Sequence, residues 1–120
     1  MPHIALVSTF DALALDEDLP PLVDALARLG ARVSTPCWDD PAVIWSAFDL
    51  AVLRSTWNYV EQIDEFRAWT RRCSQQTRLF NPPEVVDWNT DKHYLAHLHR
   101  AGVAVVPSRF VEPGEDAWAA

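Results

Sequence analysis

The chain has 120 residues, of which 49% are hydrophobic and 22% charged, with six tryptophans; this is the composition of an ordinary folded domain. A formal net charge of −7 without any basic run argues against non-specific nucleic-acid binding, which needs a positive footprint to release counterions, and against a polybasic contact with anionic lipid. No stretch has the apolar length needed to span a bilayer. The start, MPHIALVSTFDA, lacks the basic region of a signal peptide, and Cys37 and Cys73 form no CxxC or zinc spacing. The expectation is a cytoplasmic protein with reduced thiols and neither a membrane nor a nucleic-acid partner.

Residues 3–9, HIALVST, form a short apolar run without alternation, as in a strand buried on both faces. An acidic connection leads to a helix over about 18–29, with Leu19, Leu22, Val23, Leu26 and Leu29 on one stripe. Pro20 and Pro21 suit its first turn and Gly30 its end. Arg32–Trp38 reads as a second strand, with Pro36 marking an edge or the strand's end. Pro41 suits a brief helix. Leu50–Leu53, continuing into Arg54-Ser55-Thr56, is a third strand. A helix over about 60–76 carries Ile63, Phe66, Trp69 and Cys73 on one face, and Arg78–Phe80 is a fourth strand. Strands alternating with helices imply an α/β fold, a Rossmann-like open parallel sheet with flanking helices in the order 2-1-3-4. Its switch point lies between strands one and three, where ligands bind at the carboxyl ends of such sheets.

After Asn81-Pro82-Pro83, a short helical turn reaches Trp88. A helix capped by Asn89 or Thr90 then runs to about Ala101, with Tyr94, Leu95 and Leu98 inward and Gly102 at its end. Val103–Val106 and Ser108–Val111 read as strand, broken at Pro107. The domain expectation is a substrate domain over 1–88 and, over 89–120, the beginning of a second domain that these residues do not complete.

Two constellations carry chemistry at the expected crevice. Arg54, Ser55, Thr56, Trp57, Asn58 and Tyr59 follow the third strand directly, and an arginine at a strand end is a bidentate clamp for carboxylate or phosphate. The plainer reading pairs Arg54 with a local acid such as Asp49 and packs Trp57 and Tyr59 under the loop. Asp11, Asp16, Glu17 and Asp18 occupy the loop after the first strand. They either favour a helix start through its dipole or offer a carboxylate, such as that of Asp11, to a substrate ammonium. His93 and His97 lie four residues apart on a helix, but no HExxH accompanies them, so they read as helix-surface histidines. Neither cysteine has a base nearby in sequence to activate it. Lys92 is the only lysine in the chain; from composition alone, it reads first as an exposed helix residue.

The segment LFNPPEVVDWNTDKHYLAHLHRAGVAVVPSRFV resembles the junction of ATP-grasp ligases, where a Rossmann-like N-terminal domain meets the nucleotide-binding domain. Asn81-Pro82, Asp91-Lys92, Leu95, Gly102, Val106-Pro107 and Phe110 carry the pattern. LRSTWNYVEQIDEFRAW resembles a group of amino-acid and peptide ligases similar to glutathione synthetases and to the cyclo-ligase of D-cycloserine biosynthesis. The resemblance implies ATP-dependent activation of a carboxylate to an acyl-phosphate, followed by attack of an amine. It implies ATP and Mg2+ as cofactors, Lys92 on an ATP phosphate, and an amino-acid-like small molecule in the crevice between the Asp11 and Arg54 loops. A homo-oligomer is the common form of such enzymes. The second lysine, the glycine-rich phosphate loop and the acidic magnesium ligands of that class do not occur in these residues. The alternative is a stand-alone Rossmann-like module that binds a small anion through Arg54–Tyr59 without catalysis.

Overall fold

The computed structural model describes residues 1–119, which divide into two compact units, one over 1–86 and one from 87 onward. The first unit holds four parallel strands, β1 (His3–Ser8), β2 (Arg32–Ser34), β3 (Leu50–Ser55) and β4 (Arg78–Phe80), in the order β2-β1-β3-β4. This is the order expected from the alternation of strands and helices. Around them run α1 (Phe10–Leu13), α2 (Leu19–Arg28) and α3 (Ile63–Ser74), with 3-10 turns at Trp45–Ala47 and Trp57–Glu61.

The core lies between the sheet and α3. Ala5 and Ala51 are opposite each other on the two central strands and fully buried. Their small side chains leave room for Trp38, Trp45 and Trp69, all buried in one cluster with Phe66 and Cys73. Trp45 meets Trp69 edge to face at 5.1 Å and Trp38 meets Phe66 likewise at 5.1 Å, the geometry that aromatic quadrupoles favour. Burial in this cluster pushes the Cys73 thiol up to about 11, so it is held as an inert thiol.

The stripe of α3 fits its sequence pattern, with Phe66, Trp69 and Cys73 buried. That of α2 is looser. Leu19 is buried and Leu22, Val23 and Leu26 are half-buried, but Leu29 is exposed because the helix ends at Arg28. Gly30 takes a φ of 88° while Ala31 donates to the Leu26 carbonyl at 3.1 Å, the left-handed helix stop that glycine permits. The second strand is shorter than its sequence reading. It stops at Ser34, and the chain touches β1 again through Ser8 to Pro36 at 3.0 Å and Trp38 to Ser8 at 3.1 Å; Pro36 has no N–H to continue the ladder.

Helix α4 (Pro83–Asn89) leads from the first unit into the second, which contains α5 (Tyr94–Arg100). There the expected strands over 103–111 do not form. No segment among the described residues of the second unit pairs with them, and a strand without a neighbour has nowhere to place its backbone donors and acceptors.

Candidate functional site

The expected site lies where β1 and β3 end side by side. Along this pair Val7 faces Leu53 and the next residue, Ser8, faces Ser55, so Arg54 is an extra residue that the ladder skips. Such a bulge re-aims a side chain, and it leaves the guanidinium of Arg54 at the carboxyl end of the central strands with the side chain 33% exposed. Ser8, Thr9, Ser55 and Thr56 are buried around the strand ends. Their hydroxyls tie the two loops together: Thr9 donates to the Ser55 carbonyl at 3.4 Å and caps α1 by accepting from the Ala12 N–H at 3.3 Å.

Arg54 pairs with Asp16, not with Asp49. Its Nη2 donates to Asp16 Oδ1 at 2.9 Å, while Asp49 accepts from the His3 N–H at 2.7 Å at the other end of the sheet. The second oxygen of Asp16 accepts from the Ser55 hydroxyl. The Ser55 hydrogen bond first, then the Arg54 guanidinium, hold the Asp16 carboxyl below the usual carboxylate range against the opposing effect of burial. Asp18 lies 3.8 Å from the same Nη2 with its own side chain 91% exposed. Although Asp18 is the N-cap of α2, its side chain makes no capping bond.

The remaining residues singled out in the sequence divide between bracing and exposure. Trp38 donates its indole N–H to Asn58 at 2.7 Å, and Asn58 donates to Asp39 at 3.2 Å, joining the loops after β2 and β3. Tyr59 packs against Phe66 at 5.4 Å. Trp57 does not pack under the loop; it is 52% exposed. Asp11 is exposed on α1 and makes no hydrogen bond or ion pair among the described residues. The partnership of Asp16 with Arg54 has no local sequence signal, since the two residues stand 38 positions apart.

In the second unit, Lys92 is exposed, with its Nζ 5.7 Å from the centre of the Tyr94 ring. His93 is held between Asp91 at 2.6 Å and Glu112 at 2.9 Å and stacks on Phe110 at 4.5 Å; these carboxylates raise its pKa. His97 accepts from the Trp88 indole at 3.1 Å. The two histidines have separate partners, and among the described residues no three His, Cys, Asp or Glu side chains converge as a metal set.

These features define a Rossmann-like α/β domain with a polar, charge-paired cluster at its switch point, joined to a second unit that presents a lone lysine. Residues 4–81 match the family described as the D-cycloserine synthetase DcsG N-terminal domain, and the chain belongs to that family. It is 43% identical over 117 residues to the cycloserine biosynthesis protein DcsG of Streptomyces lavendulae, a match that covers 98% of this chain and 39% of that protein. A crystal structure of D-cycloserine synthetase DcsG is similar with a TM-score of 0.87 and 42% identity, over 98% of this chain and 39% of that one. The chain therefore spans about two-fifths of the length of the relatives it matches.

Proposed function

We propose that this chain serves as the N-terminal part of an ATP-dependent ligase that joins a carboxylate to an amine through an acyl-phosphate. An amino-acid-like substrate is held in the crevice between the loops after β1 and β3. The observation that carries this reading is the 43% identity across 98% of the chain to a cycloserine biosynthesis protein. The activity is that of the longer chain to which such a domain belongs. Arg54 and the exposed ring of Trp57 offer a charge and an apolar wall to the substrate, while Asp16 and Ser55 fix the guanidinium in place.

The residues present fit a nucleotide phosphate at Lys92. Its ammonium is exposed and has no carboxylate partner among the described residues, so its charge is open to an anion. When bound, ATP supplies the phosphoryl group that makes the carboxylate reactive. Magnesium belongs to the phosphates in this reading, and the described residues of this chain bring no ligand cluster of their own to it.

The test is a chimera in which this chain replaces the matching 39% of the Streptomyces lavendulae protein. The expected result is substrate-dependent release of ADP. Lys92→Ala should lower kcat/KM by about a hundredfold, the loss typical of one removed charge-stabilising donor. An unchanged kcat/KM would remove Lys92 from the nucleotide site. A folded chimera that retains Lys92 but releases no ADP would overturn the ligase reading.

A further inference from the structure

Lys92 follows an aspartate directly in the chain, yet among the described residues its ammonium meets only the Tyr94 ring. Asp91 is turned to the residue on the other side. Its Oδ1 accepts from the His93 backbone N–H at 3.0 Å and lies 2.6 Å from His93 Nδ1. Across the ring, Nε2 lies 2.9 Å from Glu112 Oε1, and Phe110 stacks on the imidazole at 4.5 Å. Each ring nitrogen therefore faces a carboxylate oxygen. An ionised carboxylate only accepts, so both nitrogens donate and the ring is an imidazolium. Asp91 first, then Glu112, raise the pKa of His93, which extends this charged state above the ordinary histidine value of about 6.5.

The other titratable groups packed here are turned elsewhere. Glu115 accepts from the Glu112 N–H at 2.9 Å, and His97 accepts from the Trp88 indole at 3.1 Å. Trp88 in turn meets the Tyr94 ring edge to face at 5.1 Å, which braces the ring beneath Lys92. The charges of this segment are thus divided. One cation, His93, is spent on the two nearest carboxylates, and the other, Lys92, lies over an aromatic face that attracts it without cancelling its charge.

Resting on Lys92 as the nucleotide lysine, we propose that His93 is a positioning residue that guards Lys92 by neutralising Asp91 and Glu112. An arriving phosphate then meets the ammonium and not two uncompensated carboxylates. When His93 loses its proton, the segment gains one net negative charge next to Lys92, and its hold on an anion weakens. The guard is present below the raised pKa of His93 and is lost as pH rises through it.

On the chain itself, imidazole nitrogen NMR shifts should show His93 titrating above the ordinary value of about 6.5, and Glu112→Gln should bring its midpoint down. A midpoint at or below the ordinary value would overturn the guard. In the chimera, His93→Gln should raise KM for ATP about threefold, the size of one exposed charge pair, with kcat unchanged. Adding Asp91→Asn to His93→Gln should bring KM back, because it removes a carboxylate while keeping an oxygen for the backbone N–H at position 93. Native KM should rise as pH passes upward through the His93 midpoint. The doubly substituted protein should lack that rise, the ionisation of ATP itself being common to both. An unchanged KM in His93→Gln, or a raised KM that Asp91→Asn fails to rescue, would sink the proposal. Lys92→Ala reads the nucleotide site separately: a loss there without any effect of His93→Gln removes the guard and leaves the ligase reading standing.

Discussion

Asp16 carries its charge where little water reaches it, and the groups that hold that charge come from a strand end 38 positions away. Because these partners lower its pKa, the sign of its contribution to stability is fixed. The folded state favours the ionised form, so the stabilisation is fully present above the ordinary aspartate value of about 3.9. It is lost as pH falls through the lower value that Asp16 has in the fold. Asp16→Asn should therefore lower the urea midpoint at neutral pH. Its deficit against the native chain should shrink as the pH is taken down through the acid range, which paired denaturation curves at several pH values will show. A deficit that stays constant down to strongly acid pH would mean that Asp16 acts through packing and not through charge. At this scale the sequence was only partly legible. Arg54 and four acids could be placed on facing loops, but the choice of Asp16 over Asp49 depends on which end of the sheet each occupies and on a one-residue bulge, neither of which leaves a local pattern.

The elements were far more legible, and for identifiable reasons. Helix α3 announces itself through Phe66, Trp69 and Cys73 at spacings of three and four, and all three are buried. Helix α2 shows its start through two prolines and its end through Gly30. Gly30 has a φ of 88° and open space around the position of a Cβ, so Gly30→Ala meets no clash and carries only the backbone cost of a left-handed residue. That cost is about 1 kcal/mol and should appear as a matching loss in the free energy of unfolding. A much larger loss would point to a packing role that the open space denies. The segment over 103–111 misled because valines at a high density read as strand regardless of whether a partner exists. Strand formation depends on a neighbour's hydrogen-bonding edge, and that information is not in the segment. The second strand was read as far as Trp38 with Pro36 marking an edge or its end, and it stops at Ser34, short of the proline that has no N–H to donate.

For the molecule as a whole, every member of the buried aromatic and aliphatic cluster lies at or before Val86, as do all four strands. The first unit thus contains its own core, which is the requirement for folding as a unit. A chain of residues 1–89, ending with α4, should unfold in a single cooperative urea transition and keep the near-ultraviolet circular dichroism of its packed indoles. A broad, non-cooperative loss of signal would show that the core needs residues beyond 89. The strand order was legible at this scale because alternating helices and right-handed crossovers leave few ways to arrange four short parallel strands. Family membership rests on the match over residues 4–81, the stretch where this architecture is built. The second unit carries Lys92.

The skipped position in β3 has a genetic meaning as well as a geometric one. Val7 faces Leu53 and Ser8 faces Ser55 with Arg54 left over, so the paired residues would form an unbroken ladder if that single position were absent. One codon thus separates a plain ladder from one that carries a cation at the end of its central strands.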